Sequence, residues 1–191
     1  MEDVKSKSSS YNIGEYKELI KETPKPQPNF ILVESKTVSK QPQELLFHAV
    51  QQGNLSDISN AIKNGVDINS RDENNNTPLH LATLFGNLKV VRYLVSKKAD
   101  INAENSYKWT SLHMAAQRGN LEVVKYLVEH GADIDKINDN GLSPIHVAAQ
   151  NGCEDVVNYL IEKGVNVDFK TKDGLTPLYI AILNKRENVV R

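Results

Sequence analysis

The chain has 191 residues, 39% hydrophobic and 25% charged, an ordinary composition for a soluble protein of one domain or one domain with a tail. Lys and Arg total 23 against 24 Asp and Glu, a formal net charge of -1 that argues against nucleic-acid binding, which needs clustered positive charge. The longest apolar run, Leu178 to Leu183, is far shorter than the roughly 20 residues of a membrane span, and no apolar stretch follows the N-terminal charges as in a secretory signal.

These features predict no membrane span and an intracellular, cytoplasmic location. The single cysteine, Cys153, excludes an internal disulfide framework and a cysteine metal cluster.

Residues 1–42 carry four of the seven prolines, Pro24, Pro26, Pro28 and Pro42, and are read as a largely disordered tail or linker. Two apolar islands interrupt it. Tyr16, Leu19 and Ile20 have helical spacing, and Phe30-Ile31-Leu32-Val33 has the composition of a docking segment.

Residues 43–191 repeat with a period of 33. Placing Asp72–Glu104 over Asn105–Ile137 gives 15 identities in 33 positions, and the register continues through Ser143, His146, Gly152 and Tyr159 to Thr176, Tyr179 and Ala181. The units are 43–71, 72–104, 105–137, 138–170 and 171–191. Each opens with an N-cap residue such as Thr77, often followed by proline at the first helical position, as at Pro78. Gly86 ends this first helix, and a second follows from Leu88 with Val90, Val91, Leu94 and Val95 as its apolar face. Asn75, Gly141 and Gly174 share a turn slot where positive φ is expected.

The first unit carries Asp57 and Asn60 where the second has Val90 and Tyr93, the mark of a polar N-terminal cap. The fifth stops inside its second helix, with Val190 aligned to Val157. The expectation is a fragment whose last unit leaves Ile180, Leu183 and Val189 poorly covered, allowing self-association through that end.

A 33-residue helix–helix–turn unit opening TPLH at Thr77–His80, TSLH at Thr110–His113, SPIH at Ser143–His146 and TPLY at Thr176–Tyr179 resembles the ankyrin repeat. Gly-Asn-Leu at Gly86–Leu88 and Gly119–Leu121, and Ala-Asp-Ile at Ala99–Ile101 and Ala132–Ile134, support the likeness. The resemblance implies an all-α repeat solenoid with short β-hairpin-like turns and a role as a protein–protein interaction module. Its partner would be another protein, bound on the concave face, with no cofactor. The alternative is the targeting region of an enzyme or secreted effector whose catalytic domain lies beyond Arg191.

The same likeness implies that His80, His113 and His146 hydrogen-bond at helix starts and between neighbours rather than binding metal. It makes Asn69 and Asn102 candidates for hydroxylation. Tyr93, Tyr126 and Tyr159 read as packing between units, and Cys153 as a neutral, partly exposed thiol. No phosphate-loop motif or catalytic constellation stands out from the repeat.

Carried onto this sequence, the concave face offers Leu84, Phe85, Tyr107, Trp109, Gln117, Arg118, Ile137, Leu142, Gln150 and Asn151. Trp109 is the only tryptophan and lies in a turn. Leu84 and Phe85 occupy slots that later units fill with polar residues, and Ile137 and Leu142 extend the apolar character. Tyr, Trp and Arg are the types enriched at interface hot spots, so Trp109 and Phe85 are the expected anchors of one contiguous cluster.

Overall fold

The computed structural model describes residues 41–190. The reading of 1–42 as a tail and the two apolar islands in it lie outside the described residues, except that Pro42 already opens the first helix. The described residues form ten helices in five pairs and no strand. The pairs are α1 (Pro42–Gln52) with α2 (Leu55–Lys63), α3 (Pro78–Leu84) with α4 (Leu88–Ser96), and α5 (Ser111–Arg118) with α6 (Leu121–Glu129). They continue as α7 (Pro144–Asn151) with α8 (Glu154–Glu162), and α9 (Pro177–Leu183) with α10 (Glu187–Val190).

Helices this short are marginal alone in water and need tertiary packing. Their ends are fixed by local chemistry. Thr77, Thr110 and Thr176 cap first helices by accepting a backbone N–H from the residue three positions on. Asn54, Asn87 and Asn120 do the same for second helices, whereas Cys153 in that slot makes no side-chain cap bond. Gly53, Gly119 and Gly152 close first helices in the left-handed region.

The core is one continuous cluster from Leu46 to Ala181, built from one face of every unit. First helices pack tightly along the array and second helices less so, which makes the first helices its inner side. Ala82, Ala115, Ala116, Ala148 and Ala149 are fully buried and allow that close approach. Of the tyrosine series, Tyr159 is buried, while Tyr93 and Tyr126 are partly buried against the core.

Close stacking also favours glycine. A Cβ on Gly53, Gly86, Gly119 or Gly152 would press on the side chain of Asn87, Asn120, Cys153 or Arg186 of the following unit. Position 185 in the same slot is lysine, at φ 55°. At the end of second helices the constraint is weaker. Nothing lies within 4 Å of a Cβ on Gly131 or Gly164, and their counterpart Lys98 adopts φ 70°.

Candidate interaction surface

Each unit is joined to the one before it by a hairpin tip. Asp72 N–H donates to the Asn76 carbonyl, and Asn105–Trp109, Asn138–Leu142 and Thr171–Leu175 repeat the bond. The fourth tip residue turns through positive φ in every case: Asn75, Lys108, Gly141 and Gly174. Neighbouring tips are tied together. Ser106 N–H donates to the Asn74 carbonyl at 3.1 Å, and Asp139 N–H to that of Tyr107 at 3.2 Å. Lys108 and Asp139 pair at 3.8 Å, both well exposed.

Below the tips lie the three histidines. His80 Nδ1 accepts the Thr77 N–H at 3.1 Å, which leaves Nε2 to donate to the Trp109 carbonyl of the next unit at 2.9 Å. His113 repeats this with Thr110 and Leu142, whereas His146 pairs with Ser143 and donates to the Phe169 carbonyl of its own unit. All three rings are fully buried. Burial lowers the pKa of His80 and of His113 to about 4, and that of His146 below its usual value. The His80 and His113 rings are thus neutral bridges between two units, whereas the His146 bond stays within its own unit. Among the described residues, no group of three or more His, Cys, Asp or Glu side chains is arranged to hold a metal ion.

A second set of bridges runs along the hairpin bases. The Asn69 side chain accepts the Asp100 N–H at 2.9 Å, and that of Asn102 accepts the Asp133 N–H at 2.8 Å. Both candidates for hydroxylation therefore tie adjacent units. Arg71 donates to the Glu104 carbonyl, and the Glu104 carboxylate pairs with Lys136 at 3.0 Å, raising the lysine pKa. Arg71, Glu104 and Lys136 border a shallow polar depression of about 530 Å³. The sequence reading did not single out Glu104 and Lys136; opposite charges in hairpin slots of successive units were the available signal.

The ten expected contact residues divide. Phe85, Tyr107 and Ile137 are 43%, 49% and 40% exposed, and Arg118 is also exposed. Gln117, Gln150 and Asn151 are half-buried, and Asn151 donates back to the Val147 carbonyl in its own helix. Leu84 and Leu142 correct the expectation, at 9% and 7% exposed. Leu84 ends α3 within the core cluster. Leu142 occupies the inward slot of the tip, where its carbonyl receives His113 Nε2.

Trp109 shares that slot with Leu142 and Leu175. Its indole is half-buried against the core, with its ring centroid 5.8 Å from that of His113. It also displaces an acceptor. Asn105 Nδ2 donates to Asn76 Oδ1, but one unit later Trp109 stands in the Asn76 slot and Asn138 Nδ2 is buried without a partner among the described residues.

Cys153 is half-buried, and burial raises its thiol pKa, so it stays protonated near neutrality. No described helix is long and apolar enough to cross a membrane.

The capped helix pair, the histidine bridge and the tied hairpin tip recur at the 33-residue period. A family model for ankyrin repeats, in three copies, matches residues 46–138 and 130–191. The chain belongs to the ankyrin-repeat family. No curated protein matches it. Ankyrin repeats are generally protein–protein interaction modules and typically non-catalytic, which makes the outward-facing side chains of this ankyrin array the place to seek its function.

Proposed function

We propose that the array binds another protein along its hairpin tips and first-helix ends. Phe85, Tyr107 and Ile137 serve as apolar anchors, and Gln117, Arg118, Gln150 and Asn151 as polar contacts around them. One observation carries the reading. These three large apolar side chains are 40–49% exposed in slots that other units fill with polar residues. Arg118 and Asn151 share the slot of Phe85, Asn74 and Asn140 that of Tyr107, and Arg71 and Glu104 that of Ile137. Stacking does not require apolar groups there, because the other units stack without them.

Trp109 supports the surface from beneath as well as bordering it. Its indole is half-buried against the core, in the slot that leaves Asn138 Nδ2 without a partner among the described residues.

The test is a hydrogen-exchange footprint. A partner is captured, identified and purified, and amide protection is compared in the free and bound array. Added protection should concentrate in residues 106–109, 117–118 and 137–142. Protection confined to α4, α6 and α8 would overturn the assignment.

A further inference from the structure

Among the second helices, α4 stands apart in charge. It carries Lys89 and Arg92, Lys97 and Lys98 follow at its C-terminal end, and no Asp or Glu lies between Leu88 and Lys98. All four cations are exposed. Among the described residues, no carboxylate lies within ion-pair distance of any of them, whereas Lys108, Lys125 and Lys136 each have one. The second helices of the other complete units mix the two signs. Asp57 and Lys63 share α2, Glu122, Lys125 and Glu129 share α6, and α8 carries Glu154, Asp155 and Glu162 with Lys163 as its C-cap.

Two of the four cations run against the local demands of the helix. Lys89 stands in the first turn, beside the positive end of the helix dipole, where the next two units carry Glu122 and Asp155 in the same slot. The dipole favours cations at the other end, yet Lys98 must adopt φ 70° there, in the left-handed region that suits glycine and that Gly65, Gly131 and Gly164 occupy in the same slot. Arg92 is held ready by stacking. Its guanidinium carbon lies 5.0 Å from the centre of the Tyr126 ring of the next unit, and its N–H groups donate to no described residue. A guanidinium placed in this way presents a fixed fork of donors that matches a carboxylate.

We propose that the outer face of α4 binds a carboxylate-rich segment of a partner protein, at a surface separate from the hairpin tips and first-helix ends. Charge complementarity sets the class of partner, and the width of the patch sets its form. Exposed carboxylates bound it on both sides, Asp57 on α2 and Glu122 and Glu129 on α6. Packed helices lie roughly 8–10 Å apart, so the cationic strip is one helix wide. A membrane surface or a nucleic-acid backbone is broader than that and would meet the flanking carboxylates. Among the large apolar side chains exposed on the array, none belongs to α4, so nothing on this face would insert into lipid. An extended acidic segment laid along α4 meets Lys89, Arg92, Lys97 and Lys98 in turn. Such exposed pairs are screened by salt, so the contact is weak and salt-dependent.

The probe is a fluorescein-labelled oligopeptide of alternating Asp and Glu, titrated with the full 191-residue chain and read by anisotropy at low and at physiological salt. Binding should saturate and weaken as salt rises. Lys89→Glu combined with Arg92→Glu should reduce affinity by about tenfold or more, whereas Lys163→Glu on α8 should leave it near the parent value. Glutamate suits the first turn, so Lys89→Glu alone should weaken binding without lowering the urea midpoint. Lys98→Gly should raise that midpoint and still bind less tightly, which separates the cation's role from stability. A parent that does not bind the peptide at low salt would overturn the proposal. So would an equal loss in Lys163→Glu, or co-sedimentation with phosphatidylserine vesicles that the Lys89→Glu, Arg92→Glu protein loses while its peptide binding stays unchanged.

Discussion

Single side chains decide both the joints of the array and their weak points. Cys153 replaces an asparagine cap that the three preceding second helices use, and it makes no cap bond of its own. Cys153→Asn should therefore stabilise the protein by about 1 kcal/mol, read by urea denaturation; an unchanged or lower midpoint would show that the thiol's packing matters more than the cap. The histidines set the pH response. An unfolded histidine titrates near pH 6.5, while folded His80 and His113 titrate at about 4. Above 6.5 both states are neutral and the stability is fully present. As pH falls from 6.5 to 4 only the unfolded chain takes up these protons, so stability is lost across that window, on the order of 3 kcal/mol per ring at its foot. Urea midpoints at pH 7 and 4.5 should differ accordingly, and equal midpoints would refute the buried, neutral bridges. The capping threonines, the histidine slot and the turn positions were legible in the sequence because each acts within a few residues of itself. The inward turn of Trp109 and Leu142 was not, because it depends on the hairpin closing over the preceding unit. Leucine at both 142 and 175 was the available hint that the slot is a core position.

At the level of the helix pair, each unit buries its apolar stripe only against its partner helix and its neighbours. Leu127 lies in α6 with no exposed surface. Leu127→Ala should cost roughly 2–5 kcal/mol, whereas Lys125→Ala, two residues away and half-exposed in a surface pair with Glu122, should stay within about 0.5 kcal/mol. A small cost for Leu127→Ala would mean the face of the second helix is misplaced. Helical periodicity made the apolar faces of the second helices readable. The distinction between Ile180, which packs backward, and Ile182, which faces outward, was hidden, because both are aliphatic and only the neighbour in space tells them apart. Lys185 is the same kind of case. It breaks the glycine pattern in sequence, but its consequence is visible only where Asn87, Asn120, Cys153 and Arg186 lie against the earlier glycines.

For the molecule as a whole, stacking decides which side chains are buried and which stay exposed. Phe85, Tyr107 and Ile137 remain exposed, while Leu84 and Leu142 do not. Arg118, exposed at the end of α5, should act more on the association rate than on affinity, as rim charges do. The measurement that bears most directly on the account is the affinity of one purified partner for Phe85→Ala, Tyr107→Ala, Ile137→Ala and Lys125→Ala, with the thermal midpoint of each variant recorded beside it. The account predicts parent-like midpoints throughout, a loss of about 2 kcal/mol or near thirtyfold in Kd for at least one of the three anchors, and no change for Lys125→Ala. Three well-folded anchor variants that bind like the parent would contradict it.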